Sequence, residues 1–209
     1  MFARRRVVSW SNTDHGPTRR QSLASKTVSS PAFATAWGAV PAELTARTPA
    51  DPVLPEPDEH WVRAVDVAAP PDLVWRWLCQ MRAAPYSYDL VDNLGRRSPQ
   101  ALTPGLDELA SGQSVMTIFT LESFARGEHL TILVRPRLWL LPQMAVSYVV
   151  TAAGEERSRL AMHVLVRLPP PARNPAGRAG LALLCAGDLV MARRQLLNLK
   201  GLAERDALR

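Results

Sequence analysis

The chain has 209 residues, of which 47% are hydrophobic and 21% are charged, which is typical of a globular protein with one sizeable core. The most apolar stretch, residues 138–150, is interrupted at Pro142 and Gln143, so no run reaches the ~18 apolar residues that a membrane span needs. These figures exclude a membrane-spanning protein, a coiled coil and a wholly disordered chain.

The net charge of +6 is concentrated at the N-terminus. Residues 1–30 contain six basic residues and one acid, whereas residues 31–209 contain 19 basic and 18 acidic residues. A nearly neutral body does not follow a phosphate backbone, so no nucleic-acid partner is expected beyond a contact of the tail. The Arg- and Ser-rich tail is compatible with a transit peptide but lacks the apolar core of a secretory signal. We interpret residues 1–30 as a basic, disordered extension.

Cysteine and histidine spacing argues against a metal or a cofactor. Cys79 and Cys185 lie far apart, each in an apolar helical pattern, and are predicted to be reduced, buried thiols in a cytoplasmic protein. The four histidines show no metal-ligand spacing, and the sequence has no glycine-rich nucleotide motif and no nucleophile elbow. We therefore predict no metal site and no cofactor, and the sequence favours no particular oligomeric state.

Residues 31–59 are predicted to form an arm that precedes the main domain. Six prolines in this segment block both helix interiors and strand pairing, so we expect an extended chain with one short helical turn near residues 41–47. Trp37 is expected to attach this arm to the body. The domain proper is predicted to comprise residues 60–209.

The remaining sequence predicts a strand, two helices, a run of strands and one long helix. Alternating apolar residues indicate the first strand at 60–67, and the helices are expected at 71–81 and 87–94. Further strands are predicted at 113–124, 129–135, 138–141, 144–152 and 158–168. A stripe with spacing of three and four residues, from Cys185 to Ala203, predicts a final helix over 175–207. This order indicates an α+β fold, in which the long helix covers an antiparallel sheet and leaves an apolar hollow.

That order of elements resembles the START-like, or SRPBCC, superfamily, which is also called the helix-grip or Bet v 1-like fold. Four segments within residues 35–208 are similar to an uncharacterised actinobacterial branch labelled polyketide cyclase/dehydrase-like: WRWLCQ at 75–80, PYSYD at 85–89, DNLGRRSP at 92–99 and GDLVM at 187–191. The resemblance implies a curved antiparallel sheet wrapped around a long C-terminal helix, with two short helices after the first strand. It also implies a pocket for a hydrophobic or amphipathic small molecule, such as a lipid or a polyketide-like compound.

The polar segment 85–99 supplies most of the candidate ligand-binding residues. These are Tyr86, Tyr88, Asp89, Asn93, Arg96 and Arg97. On the functional interpretation they surround the mouth of the pocket, where an arginine would bind a carboxylate or phosphate with two hydrogen bonds. The alternative is an internal network, in which Asp89 pairs with Arg96 or Arg97 and Asn93 supports a turn.

The apolar wall of the pocket is predicted to consist of Trp75, Met116, Phe119 and Met191, with ordinary core packing as the alternative. Asp188 interrupts the flank of the final helix. It is expected to contact a polar group of the ligand, to pair with an arginine of segment 85–99, or to lie at the surface.

Three functions are compatible with these residues. The first is binding of a hydrophobic or amphipathic small molecule, which requires an interior void of ~300 Å³ or more. The second is a polyketide cyclase, aromatase or dehydratase, with His163, Asp188 or Tyr88 as the proton-transfer group inside the hollow. The third is an interaction module with a collapsed core, whose contacts are made by the arm or the tail.

Overall fold

The computed structural model describes residues 30, 32–134 and 142–209. The elements in these ranges are α1 (Ala32–Thr35), β1 (Ala36–Trp37), α2 (Pro41–Thr45), β2 (Glu59–Val67), α3 (Pro71–Cys79), α4 (Asp89–Asp92), β3 (Ser114–Val115), β4 (Phe119–Ala125), β5 (His129–Val134), β6 (Gln143–Ala152), β7 (Ser158–Arg167) and α5 (Pro175–Ala207). Short 3-10 turns follow α3 at Gln80–Arg82 and precede α5 at Pro170–Ala172. The extension predicted for residues 1–30, apart from Ser30, and the strand predicted at 138–141 lie outside the described residues.

The seven described strands form one mixed sheet in the order β1-β2-β7-β6-β5-β4-β3. β1 runs parallel to β2, and all the other neighbouring pairs are antiparallel. The long C-terminal helix packs on β2 and on α3, so the sheet and α5 form the two main layers. This is the α+β helix-grip arrangement that the resemblance to the START-like superfamily predicted, and the structure confirms it.

Two predicted elements differ from those observed, because residues other than glycine adopt positive φ within them. The strand predicted over 113–124 is split into β3 and β4, since Met116 and Thr117 adopt φ values of 45° and 65°, which extended chain does not allow. The helix predicted over 87–94 is reduced to α4, and Leu94, with φ of 53°, lies in the turn that follows it.

The final helix has the predicted limits, and its capping explains why it begins where it does. The side chain of Asn174 accepts a hydrogen bond from the amide of Gly177 at 3.0 Å, and Pro175 occupies the first helical position. Five stripe residues are buried, namely Cys185, Ala192, Leu196, Leu199 and Ala203. Local periodicity therefore predicted correctly which side of α5 faces the protein.

Among the described residues, α5 is also the one helix that is long and apolar enough to cross a membrane. Core helices of globular proteins pass the same test. One side of α5 is buried along the helix, from Leu181 to Ala203, whereas Leu183 and Val190 on another side are exposed. Length and composition alone therefore do not assign this helix to a membrane.

Different parts of the chain pack on the two faces of the sheet. Alternate residues of β7, including Leu160, Met162 and Val164, contribute to the main core on the face that α3 and α5 cover. Leu165 points to the opposite face, where it forms a smaller apolar cluster with Ala145 and with Ala50 and Leu54 of the arm. Part of the arm thus covers the outer face of the sheet, whereas Ala34 of α1 belongs to the main core. The helix α2 coincides with the predicted helical turn. The division of the chain at residue 60 remains a prediction.

Gly38, in the turn after β1, is expected to tolerate no side chain. Its φ is +67°, and a Cβ atom would lie 2.1 Å from the carbonyl oxygen of Ala64. We expect Gly38→Ala to lower the free energy of unfolding by about 2 kcal/mol, because backbone strain and a clash with backbone combine. Gly105 is a matched control: its φ is +79° with nothing within 4 Å, so Gly105→Ala carries only the strain, about 1 kcal/mol. If urea denaturation gave equal losses of unfolding free energy for the two variants, the close approach at Gly38 would be contradicted.

Candidate functional site

A cavity of about 170 Å³ lies between the inner face of the sheet and α5. Alternate residues of β6 point into it because successive strand side chains face opposite sides. The lining residues are Pro85, Ser87, Asp92, Met116, Ile118, Phe119, Met144, Val146, Tyr148, Met162, Asp188, Met191, Ala192 and Gln195. Four of the predicted site residues thus meet in one cavity: Met116, Phe119, Asp188 and Met191.

The cavity is smaller than the ~300 Å³ expected of a ligand pocket. Side chains that the sequence analysis did not assign to the site, Met144, Tyr148, Met162 and Gln195, occupy part of the space. Its volume is nevertheless close to that of an engineered apolar cavity of about 150 Å³ that binds benzene. The cavity therefore matches one six-membered ring, and its four methionines are flexible enough to adapt to a larger ligand.

Beside the cavity, Asp188 forms a buried ion pair with Arg63 of β2. The Nη2 atom of Arg63 lies 3.0 Å from Oδ2 of Asp188, and the Arg63 side chain is fully buried. Arg63 also donates from Nη1 to the carbonyl oxygens of Thr35 and Val62. Burial raises the pKa of Asp188 to about 6, against the opposing influence of Arg63.

This ion pair corrects the prediction that an arginine of segment 85–99 pairs with Asp188. A signal for the true partner was present, because Arg63 interrupts the apolar face formed by Trp61, Val65 and Val67 of the first strand. Two opposite charges, each interrupting an apolar face, are rarely buried unless they pair. The sequence analysis did not single out Arg63 because it assigned the inward face of the first strand from the apolar residues alone.

A second polar contact joins two side chains that line the cavity. The hydroxyl of Tyr148 donates to Oε1 of Gln195 at 2.6 Å, and both side chains are buried. The amide nitrogen of Gln195 donates to the carbonyl of Pro85 at 2.6 Å and lies 3.1 Å from the sulfur of Met116. Gln195 thereby links α5 to the segment that begins at Pro85.

Asp92, at the end of α4, is the second acid of the cavity. Its Oδ2 accepts a hydrogen bond from the hydroxyl of Ser87, whereas its Oδ1 is buried and has no hydrogen-bond partner in the described part of the chain. Burial raises the pKa of this carboxyl. The sequence analysis did not include Asp92 or Ser87 among the site residues. Nothing in the local sequence shows which side of so short a helix faces inward.

The predicted residues Tyr86, Tyr88 and Asp89 line a different feature, an outer groove of about 660 Å³ between α4 and the C-terminal half of α5. Ser87 lines both this groove and the inner cavity, so the segment from Tyr86 to Asp92 separates the two. Tyr88 is exposed, whereas Tyr86 is buried and its pKa is raised to about 12 by burial. The three residues are grouped as predicted, but at the groove rather than in the cavity.

Within segment 85–99, Asp89 has a different hydrogen-bond partner from the predicted one, whereas Asn93 supports a turn as predicted. Asp89 accepts from the amide and the hydroxyl of Ser98, at 2.9 and 2.5 Å, and not from Arg96 or Arg97. The turn after α4 returns the chain to Asp89, which places Ser98 there, while both arginines are exposed. Asn93 supports this turn by donating to the carbonyl of Arg96 at 2.6 Å.

Two further predicted residues lie away from the cavity. Trp75 is buried in the main core and lines neither the cavity nor the outer groove. His163 points to the outer face of the sheet, where its Nδ1 lies 3.1 Å from Nε2 of His60. Burial, together with His60, lowers the pKa of His163 to about 4. Because adjacent residues of a strand face opposite sides, His163 cannot serve as a base in the cavity that Met162 lines.

No family model and no curated protein matches the chain. Similar solved structures include the di-domain ARO/CYC BexL from the BE-7585A biosynthetic pathway, at 13% identity and a TM-score of 0.46, covering 70% of this chain and 46% of that one. The di-domain ARO/CYC StfQ from the steffimycin biosynthetic pathway has 16% identity and a TM-score of 0.44, with coverages of 72% and 52%. Hypothetical protein jhp0584 from Helicobacter pylori has 11% identity and a TM-score of 0.48, with coverages of 76% and 96%. The chain spans about half the length of the two di-domain structures.

Proposed function

We propose that the protein binds a hydrophobic or amphipathic small molecule in the cavity between the sheet and α5. The observation that supports this proposal is the cavity itself, about 170 Å³ with mainly apolar walls and a few polar side chains. Concave sites lined mainly by apolar side chains with a few polar groups are typical of small-molecule binding.

The size of the cavity suggests a ligand with one ring or a short apolar chain. A longer lipid or polyketide-like molecule would need more room. Ser87 belongs to both the cavity and the outer groove of about 660 Å³, so a displacement of segment 86–92 would join the two spaces. The groove would then hold the part of a longer ligand that the cavity does not.

A cavity-filling substitution tests the proposal. Ala192 is buried on α5 and lines the cavity, so Ala192→Leu should occupy it and weaken binding of toluene at least tenfold, on the order of 1.4 kcal/mol. Toluene is titrated into the isotope-labelled protein and followed by amide chemical shifts. Ala186 lies on the exposed side of the same helix, so Ala186→Leu is the matched control and should bind as the unsubstituted protein does.

Unchanged toluene binding by the Ala192→Leu variant would place the site elsewhere. If toluene bound none of the three proteins, an interaction module with a collapsed core would become the better interpretation.

Catalysis is the second candidate, and the position of Asp188 favours it. Of the three proton-transfer candidates, Asp188 lines the cavity, whereas Tyr88 lines the outer groove and His163 lies on the opposite face. A carboxyl group whose pKa is about 6 suits general acid or base catalysis near neutral pH. A cyclase or dehydratase reaction whose pH–rate profile had no inflection near this pKa would count against such a role.

A further inference from the structure

We propose that the cavity selects ligands whose polar end is a hydrogen-bond donor, such as a phenol hydroxyl or an ammonium group, and rejects carboxylates. This inference rests on the proposed ligand-binding function and names the chemistry of the ligand. It follows from the hydrogen bonds that the lining side chains already make and from those that they leave open.

The side-chain donors on the cavity wall are already used within the protein. The hydroxyl of Ser87 donates to Asp92, and the hydroxyl of Tyr148 donates to Gln195. The amide group of Gln195 donates to the carbonyl of Pro85 and contacts the sulfur of Met116. A ligand carboxylate would have to break one of these bonds to gain a donor, and breaking it would leave a buried group unsatisfied.

Among the described residues, in contrast, acceptor oxygens remain without a hydrogen-bond partner on two side chains of the cavity wall. Oδ1 of Asp92 is buried and has no hydrogen-bond partner within the described ranges. Asp188 uses Oδ2 for Arg63, and its Oδ1 makes no hydrogen bond to any described residue. A ligand hydroxyl or ammonium group would satisfy one of these oxygens, and hydrogen bonds to a charged group are stronger than those between neutral groups.

The charged residues around the cavity also disfavour an anionic ligand. Two of the fourteen lining residues, Asp92 and Asp188, are acids and none is basic. Arg63 is the nearest cation to Asp188, and its guanidinium is committed to that carboxylate and to the carbonyls of Thr35 and Val62. A second anion beside these acids would be desolvated without a compensating donor or charge, which is strongly unfavourable.

The test compares four probes of similar size on the full chain at pH 7.5 by calorimetric titration and amide chemical shifts. These probes are 4-methylphenol, benzylamine, 4-methylanisole and 4-methylbenzoate. We expect 4-methylphenol or benzylamine to bind at least about tenfold more tightly than 4-methylanisole, which offers no donor. We expect no binding of 4-methylbenzoate at concentrations that saturate the best donor. The first two probes separate a neutral hydroxyl from an ammonium group as the preferred donor.

The Asp92→Asn variant assigns the preference to the open acceptor. It should reduce the preference for the better donor over 4-methylanisole at least about threefold, because the carboxylate becomes a neutral amide that can itself donate. Glu122 is exposed on β4 and does not line the cavity, so Glu122→Gln is the charge-matched control and should leave the preference unchanged. Should the Asp92→Asn chain not fold, the four-probe comparison on the unsubstituted protein decides alone.

Binding of 4-methylbenzoate as tight as that of 4-methylphenol would overturn this inference, and so would equal affinity for the phenol and the anisole. Both results would leave the proposed function intact if toluene still binds. Failure of toluene and of all four probes would instead remove the proposed function, and the donor selectivity with it.

Discussion

Replacement of Asp188 by Asn is expected to destabilise the fold by about 3–5 kcal/mol, because it leaves a buried arginine without its counter-ion. The Arg63 side chain is fully buried and lies 3.0 Å from Asp188. A guanidinium group does not lose its proton in a protein, so Arg63 cannot escape the cost by becoming neutral. The free energy of unfolding, from urea denaturation at pH 7.5, measures the loss.

The reverse substitution is expected to cost less. Arg63→Met keeps most of the buried length of the side chain but removes the charge, and Asp188, whose pKa is already about 6, then takes up a proton and becomes neutral. We expect a loss of about 1–3 kcal/mol, which is the cost of unsatisfied polar groups. The double variant Arg63→Met, Asp188→Leu should be more stable than Asp188→Asn, because it leaves no buried charge. Equal losses for the two single variants would contradict this account of the pair.

The second large effect is the pH dependence that His163 contributes. Its pKa is about 4 in the folded protein and ordinarily 6.5, so the unfolded chain binds the proton first as the pH falls. The stability contributed by neutral His163 is therefore complete above pH 6.5 and is lost as the pH falls toward 4. At about 1.4 kcal/mol per pKa unit, the loss is on the order of 3 kcal/mol.

The His163→Gln variant isolates the contribution of His163. The difference in unfolding free energy between the unsubstituted protein and this variant should rise by on the order of 3 kcal/mol from pH 4 to 6.5. His129 is a matched control: its ring is only partly buried at the start of β5, so His129→Gln should change the profile much less. A difference profile for His163→Gln that does not change with pH would show that burial leaves this ring free to titrate normally.

The long C-terminal helix shows how much local sequence can predict. Its limits at Pro175 and Ala207 and its buried stripe follow from an N-cap and from a spacing of three and four residues, both of which are local properties. The break between β3 and β4 could not be predicted in this way. Met116 and Thr117 take positive φ without glycine or asparagine, and the amide of Met116 donates to the carbonyl of Met81, 35 positions earlier. A distant contact, and not local preference, determines that turn.

The predicted site residues show the same limit. Met116, Phe119, Asp188 and Met191 line one cavity, whereas Tyr86, Tyr88 and Asp89 line a groove on the other side of a short segment. Residue type did not separate the two groups, because each combines apolar or aromatic side chains with one acid. The turn at Tyr86, whose φ is 57°, and the anchoring of Pro85 by Gln195 are tertiary features that separate them.

The amino-acid sequence alone determined the order of the main helices and strands after residue 59 and the side of α5 that is buried, because periodicity and capping act over a few neighbouring residues. Tertiary structure decided the partner of each buried polar group and the volume of the cavity. Arg63 meets Asp188 across 125 positions and His60 meets His163 across 103, so these pairs depend on strand register and on where α5 crosses the sheet. The space that remains depends on how methionine, tyrosine and glutamine side chains pack around it, which no local pattern specifies.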